Sequence, residues 1–82
     1  MCTDGVNSDQ FKSSIEQIDE AIALCRRWVH RAHHQAEDGS LPKTSDKLLA
    51  AQGLLDDIRA LLEEAQELVE RESADKASVQ VV

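Results

Sequence analysis

The chain has 82 residues, a formal net charge of −7, one Trp, one Phe and no Tyr. That length holds one small domain, marginal on its own without staples or association. The acidic balance argues against direct nucleic-acid binding, because phosphate contacts need clustered Lys and Arg and single strands need aromatic platforms.

Residues 1–6 read as a disordered N-terminal tail. They carry neither the basic region nor the apolar run of a signal peptide. Asn7 with Gln10, or Ser8 alone, can cap a helix that should run over about 8–37. Along it Phe11, Ile15, Ile18, Ile22, Cys25, Val29, Ala32 and Ala36 recur at alternating steps of four and three. A sustained period of 3.5 residues keeps one narrow face turned toward a neighbouring helix, as in a coiled coil. Cys25 falls on that seam and reads as a small buried apolar residue. With Cys2 in the polar tail, the two cysteines make no disulfide framework, and a reducing cytoplasm is expected.

Residues 38–44 read as a loop. Gly39 is expected to stop the first helix in the left-handed conformation, and Pro42 excludes a continuous helix across the connection. Thr44 or Ser45 should cap a second helix over about 45–73. Its seam is Leu48, Ala51, Leu55, Ile58, Leu62, Ala65 and Val69. Gly53 sits on the outward side and reads as a tolerated surface glycine. Residues 74–82 read as a flexible tail with no lipidation signal.

Two rods joined by a short loop favour an all-α antiparallel helical hairpin, here a domain spanning 7–73. Facing residues in such a pair have a near-constant sum of numbers. Ile15 with Val69, Ile22 with Leu62 and Val29 with Leu55 total 84; Ile18 with Ala65, Cys25 with Ile58 and Ala32 with Ala51 total 83. By this register Phe11 would face Glu72, so it is expected to lean on Leu68 or Val69.

The second helix is apolar beyond one seam. Leu54, Leu61 and Leu68 recur one heptad apart beside it, and the first helix has a weaker flank in Ala21, Leu24 and Trp28. A hairpin offers each helix one neighbour, so a wet flank would forgo roughly 1.5–3 kcal/mol per leucine. Leu24, Trp28, Leu54, Leu61 and Leu68 are therefore the expected interface. It either pairs hairpins in a homodimeric four-helix bundle or docks a different protein, with Trp28 as an anchor.

Charge is uneven: residues 26–47 hold five bases, three acids and all three histidines, whereas the segments on either side are acidic. Such a dipole can orient an approaching partner, although cations also suit the end of a helix. His30 and His34 stand four apart, which is metal-ligand spacing, and Glu37 is near. No HExxH order and no third ligand with a shaped pocket accompany them, so they are weak metal candidates and no metal or cofactor is expected. Asp56, Asp57, Glu63, Glu64, Glu67 and Glu70 mostly face away from the seam. Their density, about one charge per 5 Å, is low against one per ~1.7 Å in duplex DNA. No phosphate loop, nucleophile elbow or buried carboxylate pair at a recognisable spacing stands out, and Cys25 and His30 point to different faces, so no enzyme is expected. No apolar run nears the ~20 residues of a membrane span.

The sequence thus predicts a cytoplasmic, non-enzymatic protein-binding module: an adaptor, co-chaperone or inhibitor acting through an apolar helix face. A second reading is an acidic inhibitor, of the kind phages or mobile elements encode, that blocks a basic or nucleic-acid-binding surface. A third is a metal- or ligand-binding bundle using His30 and His34. Small helical hairpins occur in secretion chaperones, phage-encoded inhibitors and plasmid regulators, an analogy of fold alone.

Overall fold

A computed structural model describes residues 8–81, with side chains described over 8–74. The 1–6 tail, Cys2 and the Asn7 cap lie outside the described residues. Two helices, α1 (Ser8–Asp38) and α2 (Pro42–Val81), pack against each other as an antiparallel hairpin, with no strand among the described residues. The molecule is a rod of 65 × 16 × 16 Å.

The bend is tighter than the sequence suggested. The left-handed residue is Ser40, with φ 58°, and not Gly39. Gly39 still donates its N–H helically to Gln35 O at 2.9 Å. Ser40 N–H then donates to Glu37 O (3.1 Å) and Leu41 N–H to Ala36 O (2.8 Å). Those crossed bonds are a Schellman closure, which satisfies carbonyls that the ending helix leaves open. α2 starts at Pro42 rather than near Ser45, leaving a loop of residues 39–41. Proline suits the first helical position because an N–H there would have no helical acceptor. Ser45 N–H makes its helical bond to Leu41 O at 2.9 Å. The helical backbone of α2 then continues through 74–81.

The hairpin contact uses most of each expected seam. Ile15, Ile22, Val29, Ala32 and Ala36 on α1, and Leu48, Ala51, Leu55, Leu62, Ala65 and Val69 on α2, are buried or half-buried as the heptads predict. The rest differs. Phe11, Ile18, Cys25 and Ile58 are exposed, while Lys12, Asp19, Arg26 and His33 on α1 and Gln52, Arg59 and Gln66 on α2 are part-covered in their stead. Cys25 is a free, exposed thiol and not a core residue. Phe11 is half exposed.

On α1 the contact line has therefore turned by one heptad position, about 51° around the helix; on α2 it has widened toward Gln52, Arg59 and Gln66. The physical reason lies in what the turn brings together. Lys12 reaches Glu70, Arg26 reaches Asp56, Arg59 reaches Asp19, and His33 reaches Ser45. The register moves as well. Lys12–Glu70, Arg26–Asp56 and His30–Gln52 each total 82, and Asp19–Arg59 and His33–Ser45 each total 78. Both sums lie below the 83 or 84 of the expected seam.

Two substitutions test this local reading. Ser40→Gly removes the Cβ penalty of the left-handed residue and should raise stability by about 0.5 kcal/mol after the added freedom of the unfolded chain. Gly53 has open space where a Cβ would stand, so Gly53→Ala should add about 1 kcal/mol. Urea unfolding measures both; a loss of stability in either would contradict the geometry assigned to that residue.

Candidate interaction face

The turn of the contact line leaves a face behind. On α1 the exposed positions 11, 18 and 25 adjoin the line of Ala21 and Trp28, with Leu24 beyond. On α2 exposed Ile58, between half-buried Ala51 and Ala65, adjoins Leu54, Leu61 and Leu68. On both helices the exposed line lies the same way round from the contact line, relative to chain direction. Because the helices are antiparallel, this brings the two lines to the same side of the hairpin. The polar bonds between helices lie toward the opposite side.

The apolar side is wet. Phe11, Ile18, Leu24 and Leu68 are each about half exposed; Trp28 is 57% exposed, Leu54 64%, Leu61 63% and Ile58 39%. Among the described apolar residues, Ile15 and Ala36 are the buried ones. Half-burial of eight large side chains forgoes roughly 1 kcal/mol each. The total, on the order of 8 kcal/mol, is comparable with the whole stability of a small domain. The Arg31 guanidinium lies 4.6 Å from the centroid of the Trp28 ring, one turn away on the same helix. It stacks on an exposed ring that the sequence could assign either to a core or to a docking surface.

The other side is built from charge. Arg59 donates to both carboxylate oxygens of Asp19, at 3.0 and 3.4 Å. Arg26 Nε donates to Asp56 at 2.5 Å and Lys12 Nζ to Glu70 at 2.5 Å. Hydrogen bonding and attraction from Lys12 hold the Glu70 carboxyl below its ordinary value of 4.5, and Glu70 raises Lys12 in return. The Asp19 carboxylate likewise raises Arg59. Sequence reasoning missed these residues because it ranked heptad positions by hydrophobicity. A signal was there: Lys12, Asp19 and Arg26 recur one heptad apart on α1, as Gln52, Arg59 and Gln66 do on α2.

The histidines cluster at the loop end. His33, part-buried, has Nδ1 2.8 Å from Ser45 Oγ, which links α1 to the buried start of the α2 contact line. His30 and His34, both exposed, bring their Nε2 atoms within 3.1 Å. Their Nδ1 atoms are engaged by Gln52 Oε1 (3.0 Å) and Glu37 Oε1 (3.2 Å). Two imidazoles with oriented rings resemble half of a metal site, yet structural zinc takes four ligands and catalytic zinc three. No group of three or more His, Cys, Asp or Glu is placed to hold a metal among the described residues. Among the described residues no helix is long and apolar enough to cross a membrane.

Comparison with family models, with curated proteins and with solved structures returned no match.

The Lys12–Glu70 pair makes a signed prediction. A carboxyl lowered in the folded state adds stability above its unfolded value, and that stability is lost as pH falls through the folded one. Wild type should be more stable than Glu70→Gln at neutral pH, and the gap should close once the solution is acidified well below 4.5. Urea midpoints across that range measure it. A gap of constant size down to strong acid would mean that the carboxylate charge contributes nothing.

Proposed function

We propose that this chain is a non-enzymatic protein-interaction module, an adaptor, co-chaperone or inhibitor, working in a reducing cytoplasm by laying its apolar face on another helical surface. One observation carries the reading: Phe11, Ile18, Trp28, Leu54, Ile58, Leu61 and Leu68 stand exposed on one side, whereas the ion pairs joining the helices lie toward the other. A face of that kind favours helix-on-helix docking, with apolar anchors at heptad spacing and a polar rim. Trp28 is the expected anchor, since buried aromatics dominate binding energy.

The acidic-inhibitor reading draws less support. Asp56 and Glu70 are engaged by Arg26 and Lys12 in the same chain, which removes two of the acids that would have to face a basic target. The metal-binding reading rests on His30 and His34 alone.

Charge and oil separate experimentally. With the chain immobilised as bait, Leu61→Glu should cost a bound partner at least tenfold in affinity, about 1.4 kcal/mol or more. Glu63→Lys with Glu67→Lys, or raised salt, should change it little. The reverse result, tolerance of Leu61→Glu with loss on charge reversal and in salt, would replace this reading with the acidic one.

A further inference from the structure

We infer that the apolar face is covered by a second copy of this chain, stacked face to face with the two loops at opposite ends, so that each α1 lies against the partner's α1 and each α2 against the partner's α2. The inference rests on the reading of this face as a docking surface and names its occupant.

Direction is the first argument. A helix in a square four-helix bundle touches two neighbours at roughly right angles around its own axis. In α1 the hairpin contact is centred between the lines of Ile22 and Arg26, and the unused apolar stripe between those of Ile18 and Trp28. In α2 the contact is centred on the line of Leu55 and Leu62, flanked by half-buried Ala51 and Ala65 on one side and Gln52, Arg59 and Gln66 on the other, and the exposed stripe is centred on the line of Leu54, Leu61 and Leu68. On a heptad wheel each pair of centres is two positions apart, about 103°. Both helices thus carry a second contact stripe, near the angle a bundle requires and on the same side. A partner engaging one helix would need only one of them. A twofold copy uses both, because the same face serves on each side.

Size and composition agree. A strip about 45 Å long, the span of roughly 30 helical residues, and 16 Å wide offers about 700 Å² per chain. Doubled, this falls within the roughly 1,200–2,000 Å² of stable interfaces. The second stripe holds Leu54, Ile58, Leu61 and Leu68, with no charge until Glu72 and Lys47 at its ends. It is more apolar than the contact inside the hairpin.

Charge selects the orientation. The loop half of the rod, residues 26–55, holds five bases and three acids, a net +2; the open half, residues 8–25 and 56–74, holds three bases and eleven acids, a net −8. Loops at the same end would set −8 beside −8. Opposed loops set each basic half over the partner's acidic half.

Light scattering on the full chain at about 0.1 mM should give twice the 9.1 kDa chain mass, falling on dilution by mass action. Leu61→Glu should halve that mass, and Gly53→Ala, on the polar side, should keep it. A nitroxide on Lys43→Cys, in a chain carrying Cys2→Ser and Cys25→Ala, reads the orientation. Opposed loops put the two labels about 40 Å apart or more, and adjacent loops within about 20 Å; the short distance would overturn the arrangement. A single-chain mass at every concentration would overturn self-association. In that event an apolar dye that binds wild type, but not Leu61→Glu, keeps the docking face; a dye that ignores both removes the face as well.

Discussion

Two helices can give each other one side only, and these two are apolar over more than one side. That mismatch governs the rest of the molecule. A single neighbour covers a strip about two heptad lines wide, whereas the apolar residues of α1 and α2 occupy a broader arc. The hairpin therefore has to choose which lines to cover. It covers Ile15, Ile22, Val29, Leu48, Leu55 and Leu62 in company with Lys12, Asp19, Arg26 and Arg59, and leaves Ile18, Trp28, Leu54 and Leu61 in water. The ion pairs do little for stability one by one, being part-exposed. Their effect is directional: they occupy one flank of each helix and commit the remaining apolar flanks to a common side.

Much of the fold was legible in the sequence because it depends on periodicity and punctuation. The 3.5-residue period, Gly39 and Pro42 suffice to place two helices and one reversal. The rotation about each helix axis was not legible from hydrophobicity, since Ile15 and Ile22 belong to both the expected seam and the observed one. Only the lines on either side of them differ, Phe11, Ile18 and Cys25 against Lys12, Asp19 and Arg26. The decision between them turns on where Asp56, Arg59 and Glu70 stand on the other helix, which is knowledge of register. Apolar pairs alone give a register of 83 or 84, above the sums of 82 and 78 at which the polar pairs meet. The exposure of Leu54, Leu61 and Leu68 was readable, because it follows from counting neighbours rather than from knowing which way a helix faces.

The loop departs in its details from the sequence pattern for a related reason. Glycine is the commonest left-handed closer, so Gly39 drew the assignment. The structure instead carries α1 helically through Gly39 and gives the strained conformation to Ser40. The crossed bonds from Ser40 and Leu41 back to Glu37 and Ala36 fix where the chain turns, and Pro42 fixes how soon the next helix begins.

That start at Pro42 also limits how two chains can combine. Paired helical hairpins can exchange arms when the bend straightens and each molecule becomes one long rod. Here a straightened bend would place Pro42 inside a helix, where it has no N–H for the Asp38 carbonyl and its ring collides with that group, a penalty of about 3 kcal/mol. The reversal is thereby kept within each molecule, and arm exchange between copies is disfavoured at the level of a single pyrrolidine ring.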